Sequence, residues 1–598
     1  MKRSEQQMQY TWDLTRIFPD DAAWTREFGA LREAAGTYDR FKGHLGEGRE
    51  TILSALRENF ELDRRLSALF AYAMMRQNED MTADDAQGML EQATGLASAM
   101  AAVQSFLLPE MLALPEGTLE GCLEDPDFDD YNVFVQEVLR TRPHTLDAAG
   151  ERLMALSLES METAGNVSEM LSNADLALGK VRDDAGNRIP LTQATYGVLM
   201  RSEQRSVRRG AFLRMMRAHK AMENTFSSLY AGQVKADLFQ ARARGFASAR
   251  EAALFPEQIP PEVLTSLVEA VHGGIDTLTE YLTVRKRHLG VGRLHMYDLY
   301  VESAQDLPLT PDIGEAFDIF LRAVAPLGED YVADASAALR DRWIDVYENE
   351  GKRSGAYSMG SVYGVTPYVL LNHTPNLDGL STLCHEMGHA MHSFYSNRCQ
   401  PYPKAEYSIF VAEVASTTNE ILLNEALRRE MRDNPRAQLS LVCSMLEHFR
   451  TTVFRQTLFS EFEDRAHALA EQGESLTRER LCQLYMDLNR LYYGRACVVD
   501  PEIAWEWMRV PHFYSPFYVY KYATGFCAAA ALARRILSGD PEKVAAYRRF
   551  LTLGSSVPPI EALKVAGVDM SDPGSVCMAL DYFAELLAEY TLLLGEAK

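Results

Sequence analysis

The sequence STLCHEMGHAMHSFYSN, residues 381–397, places three histidines within eight positions. A four-residue spacing puts His385 and His389 on the same face of a helix, so that both imidazoles can bind one ion. Glu386 points about 100° around the helix from His385 and can reach a water at that ion without displacing it. The pattern H-E-x-x-H therefore predicts a metal-binding helix, and its ligand spacing suits zinc.

The alternative is an ordinary packed helix whose histidines bind nothing. Apolar side chains surround the histidines in this stretch, and a glutamate is rarely placed among such neighbours without a partner. The surroundings of Glu386 therefore favour the metal site. His392 shares the face of the other two histidines but lies about 10 Å along the helix from His385, so we expect it to pack or to support a ligand.

A catalytic zinc needs a third protein ligand and one open position. The segment EYSIFVAEVASTTNEILLNEAL, residues 406–427, supplies three glutamates seven residues apart on one helix face. Glu413 lies in an apolar run where an unpaired carboxylate would be costly, whereas Glu406 lies at the polar start of the helix. Glu413 is therefore the predicted third ligand. Glu420 is predicted to accept a hydrogen bond from a ligand histidine, with a solvated glutamate as the alternative.

Composition restricts the class of protein. The chain has 598 residues, 47% of them apolar and 24% charged, as in soluble globular proteins of more than one lobe. A formal net charge of -24 argues against nucleic acid as a partner. We expect no membrane span, because no run of about 18 uncharged apolar residues stands out, and the N-terminus lacks an apolar targeting segment. The expected location is the cytoplasm. The eight cysteines form no C-x-x-C pair, which disfavours a zinc ribbon or a disulfide framework.

Helical periodicity dominates the chain and predicts a mostly α fold with two helical lobes that enclose a channel. Two segments differ. Residues 176–192 contain a good turn between β-prone arms and predict a hairpin that ends an N-terminal lobe, residues 1–200, before a catalytic domain, residues 201–598. Residues 354–373, rich in Gly, Tyr, Val and Leu, predict one or two strands directly before the histidine helix, as a small sheet beside it.

The segment HFYSPFYVYKYATG, residues 512–525, is dense in hydrogen-bond donors. Amide hydrolysis builds negative charge on the carbonyl oxygen, which phenol or imidazole groups can stabilise. Pro516 should limit any helix before it, and a helix starting at Phe517 would put Tyr518 and Tyr522 on one face. His512, Tyr518 and Tyr522 are therefore candidate donors to such an oxygen. The alternative is an aromatic stripe in the core.

The runs HEMGHAMHSFYS and FVAEVASTTNE together resemble the thimet-oligopeptidase-like zinc metallopeptidases, and in detail their oligoendopeptidase F branch. Further resemblances lie in WDLTRIFPD, SGAYSMGS, FRQTLFSEFE and residues 512–525, the tyrosine segment. The resemblance therefore spans nearly the whole chain. The resemblance implies that His385, His389 and Glu413 bind one Zn²⁺ and that Glu386 is the catalytic base. It also implies that His512, Tyr518 and Tyr522 are catalytic and contact the substrate. A further implication is a substrate-binding edge strand, here with Gly355, Ala356 and Tyr357.

Three functions are compatible with these residues. The first is a zinc endopeptidase that cuts short unstructured peptides, with Glu386 taking a proton from the attacking water at the zinc and passing it to the leaving amine. The second is a zinc carboxypeptidase, which would need a cationic group near the metal for the terminal carboxylate. The third is a peptide-binding protein with a structural zinc, although such a site has no use for Glu386. The expected assembly is a monomer or a small homo-oligomer.

Overall fold

The structure is a computed structural model and describes residues 1–301, 307 and 309–596. It is mostly helical, as the periodicity predicts. The α-helices in chain order are α1 (Asp21–Thr37), α2 (Arg49–Glu79), α3 (Asp84–Gln104), α4 (Leu107–Leu112), α5 (Thr118–Leu123), α6 (Asn132–Thr141), α7 (Ala148–Met161), α8 (Thr163–Met170), α9 (Gln193–Met200), α10 (Arg205–Ala221), α11 (Glu223–Ala243), α12 (Ala249–Leu254), α13 (Glu262–Gly273), α14 (Ile275–His288), α15 (Ile313–Val324), α16 (Glu329–Arg340), α17 (Leu377–Cys399), α18 (Tyr402–Ala405), α19 (Ile409–Glu430), α20 (Pro435–His448), α21 (Arg455–Glu471), α22 (Arg478–Tyr493), α23 (Tyr520–Leu537), α24 (Pro541–Phe550), α25 (Pro559–Val565) and α26 (Pro573–Glu596).

Five short strands form two small sheets within the described residues. The predicted hairpin is present, with β1 (Lys180–Arg182) antiparallel to β2 (Arg188–Pro190). The second sheet has the order β3-β5-β4, with β3 (Ile344–Asp345) parallel and β4 (Tyr357–Met359) antiparallel to the central β5 (Tyr368–Leu370). The prediction of strands directly before the histidine helix is therefore confirmed, and β4 is an edge strand.

The chain folds into two compact units, each assembled from separate segments. The first unit comprises Met1–Pro143, Pro308–Leu427 and Leu532–Val568, and the second comprises His144–Leu307, Arg428–Ala531 and Asp569–Lys598. Residue 200, the boundary predicted from the sequence, lies inside the second unit, because the N-terminal segment of the first unit already ends at Pro143. Middle and C-terminal segments complete the first unit. The division into sequence domains at residue 200 stays a prediction.

The core of the first unit joins the N-terminal helices to the three-stranded sheet. Trp12, Trp24 and Leu69 are buried in one cluster with Tyr368 and Leu370 of β5. The ring of Trp12 lies edge-on to that of Tyr368, with centroids 6.3 Å apart. The sheet beside the histidine helix is thus fixed on the hydrophobic core of this unit.

Buried charges also hold the sheet. The ammonium of Lys352 donates to the carbonyls of Tyr347 at 2.7 Å and Leu371 at 2.6 Å, and it pairs with the Asp345 carboxylate at 2.8 Å. Arg3 pairs with the same carboxylate at 2.5 Å. Burial lowers the pKa of Lys352, which the attraction of Asp345 opposes. This network secures the loop that leads into β4.

The second unit packs its helices around aromatic side chains. Tyr230 of α11 and Phe462 of α21 stack with ring centroids 5.8 Å apart, and Trp507 and Phe513 pack on both rings. Phe513 belongs to the segment predicted to be catalytic, so that segment is anchored in the core of its unit.

One helical segment of the first unit contradicts the expectation that nothing in the chain is apolar and long enough to span a membrane. Asp84–Leu112 passes that test by length and composition. Alanine, glycine and serine lie among its leucines and methionines, so the segment does not stand out as a strongly apolar run. Ala93, Leu96 and Met100 pack into the core cluster of the first unit, and 28% of the apolar window is buried.

Candidate active site

Helix α17 presents the H-E-x-x-H motif as the spacing predicts. The Asn376 side chain caps the helix by accepting the N–H of Gly379 at 2.8 Å. The rings of His385 and His389 then lie on one face with centroids 4.9 Å apart. Both histidines are only partly buried, so their ring nitrogens remain accessible.

Helix α19 brings Glu413 to both histidines. Its Oε2 lies 3.3 Å from Nε2 of His385 and 3.6 Å from Nε2 of His389. The two imidazoles lower the pKa of Glu413 far below its usual range, which the partial desolvation of the carboxylate opposes only in part, since 56% of the side chain is exposed. The carboxylate is therefore ionised and faces two imidazole nitrogens.

The donor set fits a single small cation. The three ligand atoms lie within 4.8 Å of one another. Tetrahedral zinc with bonds of about 2.0–2.1 Å separates its ligand atoms by about 3.3–3.4 Å. The separations of 3.3 and 3.6 Å from Glu413 are close to that value. Two nitrogens and one carboxylate oxygen are also a ligand set that catalytic zinc sites use.

Glu420 contacts His385 at Nδ1, the ring nitrogen that does not face Glu413. Its Oε1 lies 2.9 Å from Nδ1 of His385, so the carboxylate accepts the N–H there and orients the ring with Nε2 towards Glu413. Although burial opposes the change, the bonds to Glu413 and Glu420 raise the pKa of His385 to about 10. A cation at Nε2 must displace the proton held there, so metal binding releases a proton.

Gly388 is a residue of this site that the sequence reasoning missed. A Cβ atom at position 388 would lie 2.5 Å from the Cα of Ser416 and 2.8 Å from the carbonyl of Ala415. Helices α17 and α19 thus touch backbone to backbone, one turn from Glu413. A side chain here would push the third ligand away from the histidines. The available signal was a glycine inside a helix, which often marks close packing.

Glu386 lies on α17 beside the ligand set and is 8% exposed. Burial raises its pKa above the usual range, while His385 and His389 oppose that rise. A carboxylate whose pKa is raised is a stronger proton acceptor than an ordinary glutamate. The geometry leaves Glu386 outside the ligand group, facing the same cleft.

This cleft has a volume of about 670 Å³ and lies within the first unit. One wall is α17 with both histidines and Glu386, and another is the strand β4 with the residues that flank it. Ala356 and Tyr357, predicted to bind substrate, line the cleft. Gly355 does not appear among the lining residues; its carbonyl accepts a hydrogen bond from Asn372 at 2.8 Å instead.

His392 is not a ligand. It is 1% exposed, and its ring stacks on Tyr407 with centroids 3.7 Å apart. Burial lowers the pKa of His392 to about 3, so the ring is neutral. The hydroxyl of Tyr407 bonds Ser393 of the same helix at 2.9 Å. The third histidine therefore packs behind the site, as its distance along the helix predicts.

The tyrosine segment lies in the second unit. Its three predicted catalytic residues contact one another: the Tyr522 hydroxyl lies 3.1 Å from Nε2 of His512, and the His512 and Tyr518 rings stack with centroids 5.7 Å apart. Partial burial lowers the pKa of His512. The structure thus gathers these three side chains into one cluster.

The predicted start of the helix in this segment is wrong. Phe517 has φ +52, which a bulky residue rarely adopts and which no helix contains, and α23 begins at Tyr520. The N–H of Phe517 donates to Oε1 of the buried Glu463 at 2.7 Å. Tyr518 therefore lies before the helix, yet its ring still meets Tyr522 at 5.6 Å.

Comparisons with known proteins identify the family of the chain. An H-E-x-x-H motif on a helix is typical of metalloproteases. The sequence profile of peptidase family M3 matches residues 198–582, and that of oligopeptidase F matches residues 110–177. The chain belongs to peptidase family M3.

Its relatives include full-length bacterial peptidases. Oligopeptidase PepF of Bacillus subtilis is 41% identical over 100% of this chain and 89% of its own length. Group B oligopeptidase PepB of Streptococcus agalactiae is 38% identical over 99% of this chain and 98% of its own. The crystal structure of oligoendopeptidase-F from Enterococcus faecium has a TM-score of 0.73 and 33% identity, and covers 96% of this chain and 99% of that one.

Proposed function

We propose that the chain is a zinc-dependent endopeptidase that hydrolyses internal bonds of short, unstructured oligopeptides. The observation that carries the proposal is the arrangement of His385, His389 and Glu413 around one cation-sized point, with Glu386 beside them in the same cleft. The names of the relatives, oligopeptidase and oligoendopeptidase, support the class of substrate.

The metal is proposed to be zinc. His385, His389 and Glu413 would hold it, and Glu420 would orient His385. When bound, Zn²⁺ polarises a carbonyl and makes water acidic enough to be deprotonated near neutral pH. Mixed nitrogen and oxygen ligands also accept Mn²⁺ or Co²⁺, so metal analysis of the purified protein decides its identity.

Glu386 is the proposed proton carrier. Its carboxylate takes the proton of the attacking water and later delivers it to the amine that leaves. A positioned general base of this kind typically contributes about 10²–10⁴-fold. Burial raises the pKa of Glu386, which makes its carboxylate a stronger proton acceptor than an exposed glutamate.

The edge strand β4 is the proposed binding surface for the peptide backbone. It pairs with β5 on one side only within the described residues. An extended peptide can add to the other edge through main-chain hydrogen bonds, which tolerate many side chains. A folded protein cannot present such a segment, so the proposed substrates are peptides of roughly 5–20 residues.

His512, Tyr518 and Tyr522 are proposed to donate hydrogen bonds to the substrate. Support comes from the resemblance of their segment to the oligoendopeptidase F branch and from their mutual contacts. The negative charge that develops on the carbonyl oxygen during amide hydrolysis is the group that such donors stabilise.

The cleft disfavours the carboxypeptidase alternative. A terminal carboxylate needs a cation to hold it, and none of the described residues that line the cleft is a lysine or an arginine. Glu386 in turn disfavours a non-catalytic peptide-binding protein. Location in the cytoplasm and the oligomeric state stay predictions.

Hydrolysis of a fluorogenic peptide blocked at both ends tests the function. We expect internal cleavage that a chelator abolishes and added Zn²⁺ restores, while a stable folded protein survives the same incubation. A need for a free C-terminus would instead indicate a carboxypeptidase. Absence of turnover by the zinc-loaded protein would indicate a binding protein and would contradict the proposal.

A further inference from the structure

Strand β4 is too short to hold its own position by pairing. It has three residues, Tyr357–Met359, and each pairs with one residue of β5. Strands in globular proteins are usually about 5–6 residues long, and a pair of short strands is marginal by itself. Whatever fixes β4 must therefore come from its two ends.

A side-chain amide holds each end. At the start of the strand, Nδ2 of Asn372 donates to the carbonyl of Gly355 at 2.8 Å and to that of Arg353 at 2.9 Å. At the other end, Nδ2 of Asn397 donates to the carbonyl of Gly360 at 2.9 Å. The two asparagines bracket the strand and bond only backbone carbonyls outside it.

The two amides tie β4 to different elements. Asn372 follows the central strand β5 by two residues. Asn397 lies two turns after His389 on α17, the helix that carries the metal ligands. The bonds from Asn372 therefore hold the start of β4 to the segment after β5 in the same sheet. The bond from Asn397 holds the end of β4 to α17.

The contact with α17 is close. A Cβ atom at position 360 would lie 2.1 Å from Oγ and 2.3 Å from Cβ of Ser393, one turn after His389. Ser393 in turn bonds the Tyr407 hydroxyl at 2.9 Å. Only glycine allows the strand end to approach the helix this closely, and it does so beside the bond from Asn397.

We propose that Asn372 and Asn397 are positioning residues that fix β4, and with it the register of a bound peptide, relative to His385 and His389. This inference rests on the proposed function, in which the peptide adds to the edge of β4. Misplacement of a reacting bond by 1 Å can cost about 10²-fold in rate. A fixed strand therefore determines which peptide bond meets the metal.

Cleavage of one ten-residue peptide, blocked at both ends, tests the inference when all products are mapped by mass spectrometry. The variants are Asn397→Asp, Asn372→Asp and the double variant. Aspartate keeps the size of asparagine, but at neutral pH it cannot donate a hydrogen bond. Asn166→Asp, an exposed position on α8 in the second unit, is the matched control.

We expect kcat/KM to fall by about 5- to 10-fold for Asn397→Asp, the effect of losing one hydrogen bond of about 1 kcal/mol, and by more for Asn372→Asp, which loses two. We also expect cleavage to spread to bonds next to the wild-type site, with unchanged bound metal. Gly360→Ala, which displaces the strand end without removing a donor, should spread cleavage as well.

An unchanged set of cleaved bonds in the double variant and in Gly360→Ala would overturn the inference, whatever happens to the rate. A fall in kcat/KM that merely follows a loss of bound metal would overturn it too. Failure of the wild-type, zinc-loaded protein to cut the peptide would instead contradict the proposed function.

Discussion

The metal helix and the tyrosine segment reach their geometries in different ways. In α17, regular helix spacing alone brings His385 and His389 to one face. Between His512 and Tyr518, the chain instead passes through Phe517 with φ +52, held by a buried carboxylate 54 positions away in the sequence. Helical periodicity therefore predicts the geometry of α17. The geometry of the tyrosine segment depends instead on one distant residue, Glu463, which no local sequence pattern indicates.

The two regions should also fail differently when altered. Loss of a side chain in the metal helix should remove the metal, while loss of one in the tyrosine segment should leave the metal in place and slow the reaction. The following variants test this contrast.

The largest effect is expected for His389→Ala. Two ligands hold zinc poorly, so the variant should lose its metal at ordinary zinc concentrations. Turnover should fall by more than the roughly 100-fold that loss of an outer hydrogen-bond partner costs. Metal analysis and peptide cleavage measure both effects, with the exposed His44→Ala as the control. One equivalent of zinc in purified His389→Ala would refute the ligand assignment.

Tyr522→Phe and His512→Ala should slow cleavage and keep the metal. Removing one donor to a developing oxyanion typically costs about 10²–10³-fold in kcat. Tyr514→Phe, in the same segment but packed on Tyr230, is the control and should cut almost normally. If both test variants kept the wild-type kcat, the segment would be an aromatic stripe and not part of the catalytic machinery.

Glu420→Ala should weaken metal binding without abolishing it. Its carboxylate bonds Nδ1 of His385, and loss of such a partner typically costs about 10–100-fold in metal affinity. Competition with a chelator of known affinity measures the change. Glu406→Ala, an exposed glutamate of the same segment, provides the comparison. Equal affinities for the two variants would show that Glu420 is a solvated glutamate.

The remaining prediction concerns stability rather than metal binding or turnover: a pH dependence that comes from Glu463. Burial raises the pKa of Glu463 to about 8, although His467 and the Phe517 N–H oppose it. The folded state therefore binds a proton that the unfolded state releases above its ordinary pKa of 4.5. This contribution is fully present below about 4.5, falls as pH rises, and is lost once pH passes about 8.

Glu463→Gln should remove that dependence. Between these two pH values, the difference in free energy of unfolding between wild type and variant should fall by about 1.4 kcal/mol per pH unit. Thermal melts at several pH values measure it. Parallel curves for the two proteins would contradict a protonated Glu463 under the turn at Phe517.

Much of the site could be predicted because its ligands follow helix periodicity. His385, His389, Glu413 and Glu420 lie where their spacing puts them, and apolar neighbours alone distinguish Glu413 from Glu406. Gly388 could not be recognised as the point of helix contact, since a helical glycine does not reveal its neighbour. The contacts of Asn372 and Asn397 could not be predicted, because they depend on where β4 begins and ends. A strand of three residues is too short to show an alternating pattern in the sequence.

The sequence likewise predicted the local elements of the fold but not how distant segments combine into units. The turn at Gly186 and the β-prone segment before α17 indicated both sheets. The composition of each compact unit was not accessible, because segments that are hundreds of residues apart complete the first unit. Periodicity describes local structure and carries no information on such distant packing.

The central claim is that Glu386 acts as the base beside a metal held by His385, His389 and Glu413. Glu386→Gln tests it most directly when bound metal and turnover are measured on the same sample. The amide keeps the shape of the side chain and cannot accept a proton from water, so we expect one equivalent of zinc and a kcat lower by about 10²–10⁴-fold. Wild-type kcat in a zinc-loaded Glu386→Gln protein would contradict the claim.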